Sequence, residues 1–145
     1  MSLSVIIDGV QYVPLVGAPS DPYPLPEGYL SPHFREAEFC CNHCGSLEGH
    51  EVPEELLRVL ELCRAHFSSA PITINSGYRC LIHNANVGSN EASQHRRATA
   101  ADIAVKDVAP AKVYDYLITS YPGAYGIGSY PSFTHIDVRP DKARW

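Results

Sequence analysis

The chain has 145 residues, 45% of them hydrophobic and 19% charged, which suits one globular domain with a sizeable core. Its formal charge of -5 argues against a nucleic-acid polyanion or an anionic membrane surface as the main partner. No stretch reaches the roughly 18 consecutive apolar residues of a membrane span. The opening MSLSVIIDG also lacks the basic and apolar regions of a signal peptide, so the expectation is synthesis in the cytoplasm.

VIIDGVQYV (5–13) predicts a hairpin, two short apolar runs around the turn dipeptide Asp8-Gly9. Six prolines between Pro14 and Pro32 predict an extended arm with little regular structure. Ser31-Pro32 reads as an N-cap and first-turn proline for a short helix through Phe39. Pro53 opens the clearest helix, where Leu56, Leu60, Cys63 and Phe67 recur at helical spacing and Glu54 and Glu55 suit the N-terminal end. PITIN (71–75) reads as a strand, SGYR (76–79) as a tight turn and LIHNANV as a short helix. AADIAV (100–105) is a strand, APAKVYDYLITSY (109–121) a helix, and AYGIGSY with FTHIDVR (133–139) a closing hairpin. The order predicts an α+β fold, helices packed on one small, mostly antiparallel sheet.

Asp102 is the anomaly in this pattern, a carboxylate set among Ala100, Ala101, Ile103, Ala104 and Val105. Burying it alone is costly, so something must compensate its charge. On the last strand, period-2 alternation puts Phe133, His135, Asp137 and Arg139 on one face and Thr134, Ile136 and Val138 on the other. The apolar set suits the core, which turns the His/Asp face toward a cleft. His95 lies upstream of Asp102 at a distance a loop can close. Two imidazoles and one carboxylate form a catalytic zinc set that leaves the fourth position to water, and a divalent ion would neutralise Asp102. Spacing alone leaves the other reading open, a structural Asp102 satisfied by hydrogen bonds.

SGYR, SQHRRATAAD (93–102) and FTHIDVR, in this order, resemble the M15 peptidases, the D-alanyl-D-alanine carboxypeptidase and peptidoglycan endopeptidase family. That family shares its fold with lysostaphin-type enzymes and the hedgehog signalling domain. The likeness is strongest to a small subfamily through SPHFREAEF, CNHCG, SGYRC and the C-terminal ARW, and it covers about residues 31–145, leaving 1–30 as a separate hairpin and proline-rich arm. The resemblance implies a zinc cofactor held by His95, Asp102 and His135, with peptidoglycan stem peptide as substrate and the cell wall as the site of action. It implies that Arg79 binds the substrate, through its terminal carboxylate or its scissile carbonyl, as a fixed guanidinium can. Ser93 belongs to the same pattern, either orienting ligand or substrate or making a loop cap. The arm at 1–30 would suit anchorage in a phage or cell-envelope assembly.

Two positions depart from the family pattern. Ala98 stands where a glycine is common after the first ligand, which imposes strain of about 1 kcal/mol if the backbone there takes positive φ. The general base that relatives carry shortly before the last ligand is missing, since no Asp, Glu or His lies between Asp115 and His135. Asp137 is the substitute, either as proton acceptor or as the group that holds a ligand imidazole in its tautomer. Tyr130 is a further candidate, as donor to a developing oxyanion. A zinc-bearing binding module without hydrolytic activity is the alternative function.

The five cysteines are Cys40, Cys41, Cys44, Cys63 and Cys80. Cys63 lies on the apolar helix face and reads as a buried thiol. Cys41 and Cys44 have CxxC spacing and Cys80 offers a third sulfur, which leaves unpaired thiols, one disulfide or a structural zinc site open. No second close cysteine pair is present to complete such a site. His33, His43, His50, His66 and His83 are scattered and read as solvated or packing residues, and Trp145 as a ring packed back on the domain.

Overall fold

The computed structural model describes residues 25–145 and, ahead of them, strands β1 (Val5–Ile7) and β2 (Val10–Tyr12). These two strands pair antiparallel with Ile7 opposite Val10, the hairpin that the sequence predicts. The Asp8-Gly9 dipeptide and most of the proline-rich arm lie outside the described residues.

The helix expected from Ser31-Pro32 starts later. Strands β3 (Tyr29–Ser31) and β4 (Phe34–Arg35) form a small hairpin, and helix α1 is only Glu36–Phe39. A proline after serine serves a tight turn as readily as a helix start, and here a distant side chain decides. The buried Glu61 carboxylate accepts the His33 backbone N–H at 2.9 Å and meets His33 Nδ1 at 2.9 Å, holding the turn open.

Helix α2 (Glu54–His66) starts at Pro53 as its N-cap, and it buries Leu56, Leu60 and Cys63 completely. Strand β5 (Ile72–Ser76) and helix α3 (Leu81–Asn86) follow, and SGYR is not the tight turn expected: Ser76 ends β5, where it pairs with Asp102, and residues 77–80 form an irregular connection. Then come β6 (Ala100–Val105), α4 (Pro110–Ser120), β7 (Gly126–Ser129), β8 (Thr134–Asp137) and β9 (Ala143–Arg144). The main sheet has the order β5-β6-β8-β7-β9, antiparallel throughout except for the parallel β7–β9 edge. This is the expected α+β architecture, with β9 as an addition too short for periodicity to reveal.

Alternation along β6 and β8 sorts the two faces of the sheet. Ala101, Ile103 and Val105 join Ile127 and Ile136 in the core with Leu117 and Val113 of α4 and the apolar stripe of α2. Phe34 and Phe39 close one end, their rings 6.2 Å apart. Thr134 Oγ1 donates to Pro110 O at 3.0 Å, tying the start of α4 to β8. The opposite face of the same strands carries Asp102, His135 and Asp137. Among the described residues no helix is long and apolar enough to cross a membrane.

Candidate metal centre

The β6–β8 register places Asp102 directly opposite His135. Cross-strand partners leave the sheet on the same face, with Cβ atoms about 5 Å apart, so the two side chains meet. His95 arrives from a 3₁₀ turn, Gln94–Arg97, that Ser93 caps by accepting the His95 N–H at 3.3 Å. The turn ends at Ala98 with φ 61°, the left-handed conformation that sends the chain back into β6. The positive φ foreseen for this position is therefore real, and a buried alanine occupies it. His95, Asp102 and His135 are 2%, 5% and 6% exposed, and their ligand atoms lie within 4.8 Å of one another.

Hydrogen bonds set which imidazole nitrogens face the centre. His95 Nδ1 lies 2.6 Å from Gly77 O, a carbonyl that can only accept, so Nδ1 carries the proton. His95 Nε2 is then left with its lone pair, 3.2 Å from Asp102 Oδ1. His135 Nε2 donates to Asp137 Oδ2 at 2.7 Å, which leaves Nδ1 facing the same Asp102 oxygen at 2.9 Å. Two imidazole lone pairs and a carboxylate oxygen thus converge on one point. They repel unless a cation or an extra proton stands between them. A tetrahedral ion with nitrogen and oxygen bonds of about 2.0–2.1 Å separates its ligand atoms by about 3.3 Å, close to the spacing found.

The site draws positive charge. Burial works against ionising Asp102, but with an extra proton rather than a cation between the groups, hydrogen bonds and charges from His135 and His95 outweigh it and hold the carboxyl well below the usual carboxylate range. Burial likewise opposes a charged His135, yet Asp102 and Asp137 on either side raise it above the ordinary histidine value. The donor set therefore fits a divalent cation, with His95, Asp102 and His135 as the residues that would hold it.

Asp137 is fully buried and committed to its neighbours. Besides His135 it pairs with Arg139 through Nε and Nη2, both at 2.8 Å, and accepts the Gly126 N–H at 3.2 Å. Burial raises its pKa, but the bonds from His135 and Arg139 overcome that and bring it down to about 2. Arg139, on the predicted face but without an expected role, keeps this carboxylate ionised.

The centre opens on a cleft of about 630 Å³. Arg79 lines it, its Nη2 3.1 Å from Asp102 Oδ2 and its Nε donating to Ser76 Oγ at 3.2 Å, with only 13% of the side chain exposed. Ser93 sits at the rim as the cap already described. Tyr130 stacks on Phe133 at 4.4 Å, and its hydroxyl accepts the Trp145 Nε1–H at 2.7 Å. Trp145 does pack back, its ring 4.9 Å from that of His135, but it is 44% exposed and forms a wall of the cleft, a role the sequence reading missed. Two glycines of β7 make this possible. Gly126 and Gly128 pair with Asp137 and His135, and a Cβ at either position would strike the Asp137 carboxylate or, at 2.5 Å, Trp145 Nε1. The alternating Gly-Ile-Gly beside the ligand strand was the signal available for this crowding.

Among the described residues that line the cleft, Asp102 is the sole carboxylate. Cys41, Cys44 and Cys80 bring their sulfur atoms together in a separate cluster, and all five cysteines are free thiols. Cys63 is fully buried as expected. No curated protein matches the chain. The family model described as Peptidase M15 matches residues 32–137, a span that holds Arg79, the three convergent side chains and Asp137. The chain belongs to the M15 peptidases, a family of metal-dependent enzymes.

Proposed function

We propose that this protein is a zinc peptidase that hydrolyses amide bonds in peptidoglycan stem peptides, as a carboxypeptidase or an endopeptidase acting at the cell wall. The convergence of three lone-pair atoms from His95, Asp102 and His135 carries this reading. Two neutral imidazoles and a carboxylate in tetrahedral spacing suit zinc better than the harder, oxygen-seeking cations. The ion, when bound, supplies a Lewis acid that polarises the scissile carbonyl and makes water a nucleophile near neutral pH.

The chain's own residues do the rest. Gly77 O and Asp137 fix the ligand tautomers, and Arg139 keeps Asp137 charged. This favours Asp137 as a positioning residue over a proton acceptor, because its oxygens already receive five hydrogen bonds from Gly126, His135 and Arg139. Arg79 stands beside Asp102 with a charged fork suited to a substrate carboxylate or the oxygen of the polarised carbonyl. Trp145, Tyr130 and Phe133 give the cleft an aromatic wall for a peptide. The arm at 1–30 would tether the domain to a phage or envelope assembly.

The absence of a second carboxylate among the described residues of the cleft favours one alternative, a zinc-bearing module that binds cell-wall peptide without cutting it. Purified protein incubated with muropeptides, with and without chelator, separates the two. Cleavage that chelator stops, zinc restores and His95→Ala abolishes supports the peptidase. Stoichiometric zinc and muropeptide binding with no cleavage replaces it with the binding module.

A further inference from the structure

The fold brings the turn Cys41-Asn42-His43-Cys44-Gly45 face to face with Cys80-Leu81-Ile82-His83, the N-cap and first residues of α3. The sulfur atoms of Cys41, Cys44 and Cys80 lie within 4.8 Å of one another, and none is in a disulfide. Beside them, His43 Nδ1 is 3.7 Å from Cys80 Sγ, and the His43 ring stacks on His83 at 6.3 Å between centroids. A tetrahedral zinc with Zn–S bonds of about 2.3 Å and Zn–N bonds of about 2.0 Å spaces sulfur from sulfur by about 3.8 Å and sulfur from nitrogen by about 3.5 Å.

The backbone around the sulfurs is arranged for thiolates. The His43 N–H points at Cys41 Sγ at 3.4 Å, and the Cys80 N–H adds a second donor to the same sulfur at 3.3 Å. The His83 N–H points at Cys80 Sγ at 3.4 Å. Gly45 takes φ +73°, and its N–H closes onto Cys41 O at 2.8 Å, which curls the CxxC segment so that its two sulfurs come within 4.8 Å. Amide donors aimed at sulfur stabilise the charged form that binds metal. Burial resists ionisation of Cys41, but these donors outweigh it and lower its thiol to about 7.

We propose that Cys41, Cys44 and Cys80 bind a structural zinc ion whose fourth ligand is an imidazole of the His43–His83 pair. Cys80-x-x-His83 is the second close pair that a cysteine count overlooks, because its partner is a histidine. The ion joins the end of α1 to the start of α3. It sits one residue from Arg79 and acts as a staple behind the cleft rather than as a part of its chemistry. Asn42 Nδ2 donates to Asn75 O at 2.9 Å and supports the same junction.

The test is a cobalt titration of the full chain purified with reductant, read by near-ultraviolet thiolate-to-cobalt absorption, with zinc competition for affinity. The wild type is expected to develop this absorption and lose it by the time two equivalents of zinc, one for each centre, have been added. His95→Ala and His135→Ala retain it, which separates this ion from the one in the cleft. Cys44→Ser, at an exposed position that spares the core, is expected to weaken zinc binding here at least 100-fold. His43→Ala or His83→Ala weakens it about tenfold and identifies the fourth ligand. No thiolate–cobalt absorption in the wild type, or the mass deficit of a disulfide among these three cysteines, overturns the proposal. Unchanged affinity in both histidine variants overturns the imidazole ligand.

Discussion

Replacing Asp137 by Asn separates the two roles open to this carboxylate. The amide keeps the volume but turns one of two acceptor oxygens into a donor. Every close neighbour is itself a donor: His135 Nε2 at 2.7 Å, and Arg139 Nε and Nη2 at 2.8 Å. Whichever way the amide turns, at least one of those contacts sets N–H against N–H, since His135 Nε2 and Arg139 Nη2 share Oδ2 and Arg139 Nε takes Oδ1. His135 then loses the partner that holds its Nδ1 lone pair on the metal side, or Arg139 loses its hold on the side chain. Loss of such a partner behind a ligand histidine weakens metal binding about 10–100-fold, or about 1.4–2.7 kcal/mol. The assay is zinc affinity against a competing chelator, followed by kcat on muropeptide at saturating zinc. The expected outcome is a weaker site whose kcat, once loaded, lies within about tenfold of wild type. A proton acceptor removed from the reaction would instead cost about 10²–10⁴-fold in kcat on a fully loaded enzyme. Wild-type zinc affinity together with such a loss would refute the positioning role.

Gly77→Ala tests the other tautomer lock. A Cβ there would stand 2.7 Å from the Phe39 Cα and carbonyl oxygen, backbone atoms that cannot swing aside. The substitution should cost about 1–3 kcal/mol in denaturant melts and lower zinc affinity as Gly77 O moves off His95, and unchanged melts reject the close packing. Arg79→Lys keeps the charge but loses the fork, so kcat/KM should fall about 100-fold with zinc content unchanged. A smaller loss on substrates whose terminal carboxylate is amidated would assign that group as its target, and wild-type kinetics would remove Arg79 from the site. Burial pushes the Cys63 thiol from 9.0 up to about 12. A raised value favours the neutral thiol, so its contribution is complete below pH 9.0 and is lost as pH rises toward about 12. At pH 11 that amounts to about 3 kcal/mol. Melts at pH 8 and pH 11 should therefore show a smaller drop in Cys63→Ala than in wild type, and an equal drop contradicts the assignment.

The parts of this site legible in the sequence are those that local periodicity controls. Alternation along THID separates Thr134 and Ile136 from His135 and Asp137, and one charged residue in AADIAV marks the facing strand. What stayed hidden depends on partners far apart in the chain. Ser31-Pro32 carries the signals of both a helix start and a turn, and Glu61, on another element, decides between them. Asp137 reads from the sequence as a base or as a tautomer holder, and only the fold shows that Arg139 and Gly126 bond to its oxygens. Ala98 shows why a departure from a pattern need not disable a site. Its left-handed φ costs about 1–2 kcal/mol relative to a relaxed residue. Against that, a buried methyl contributes about 0.8 kcal/mol, and the unfolded chain has less entropy to lose than with glycine, worth about 0.5–1 kcal/mol. These terms nearly cancel, so the turn that delivers His95 to Asp102 keeps its shape with either residue.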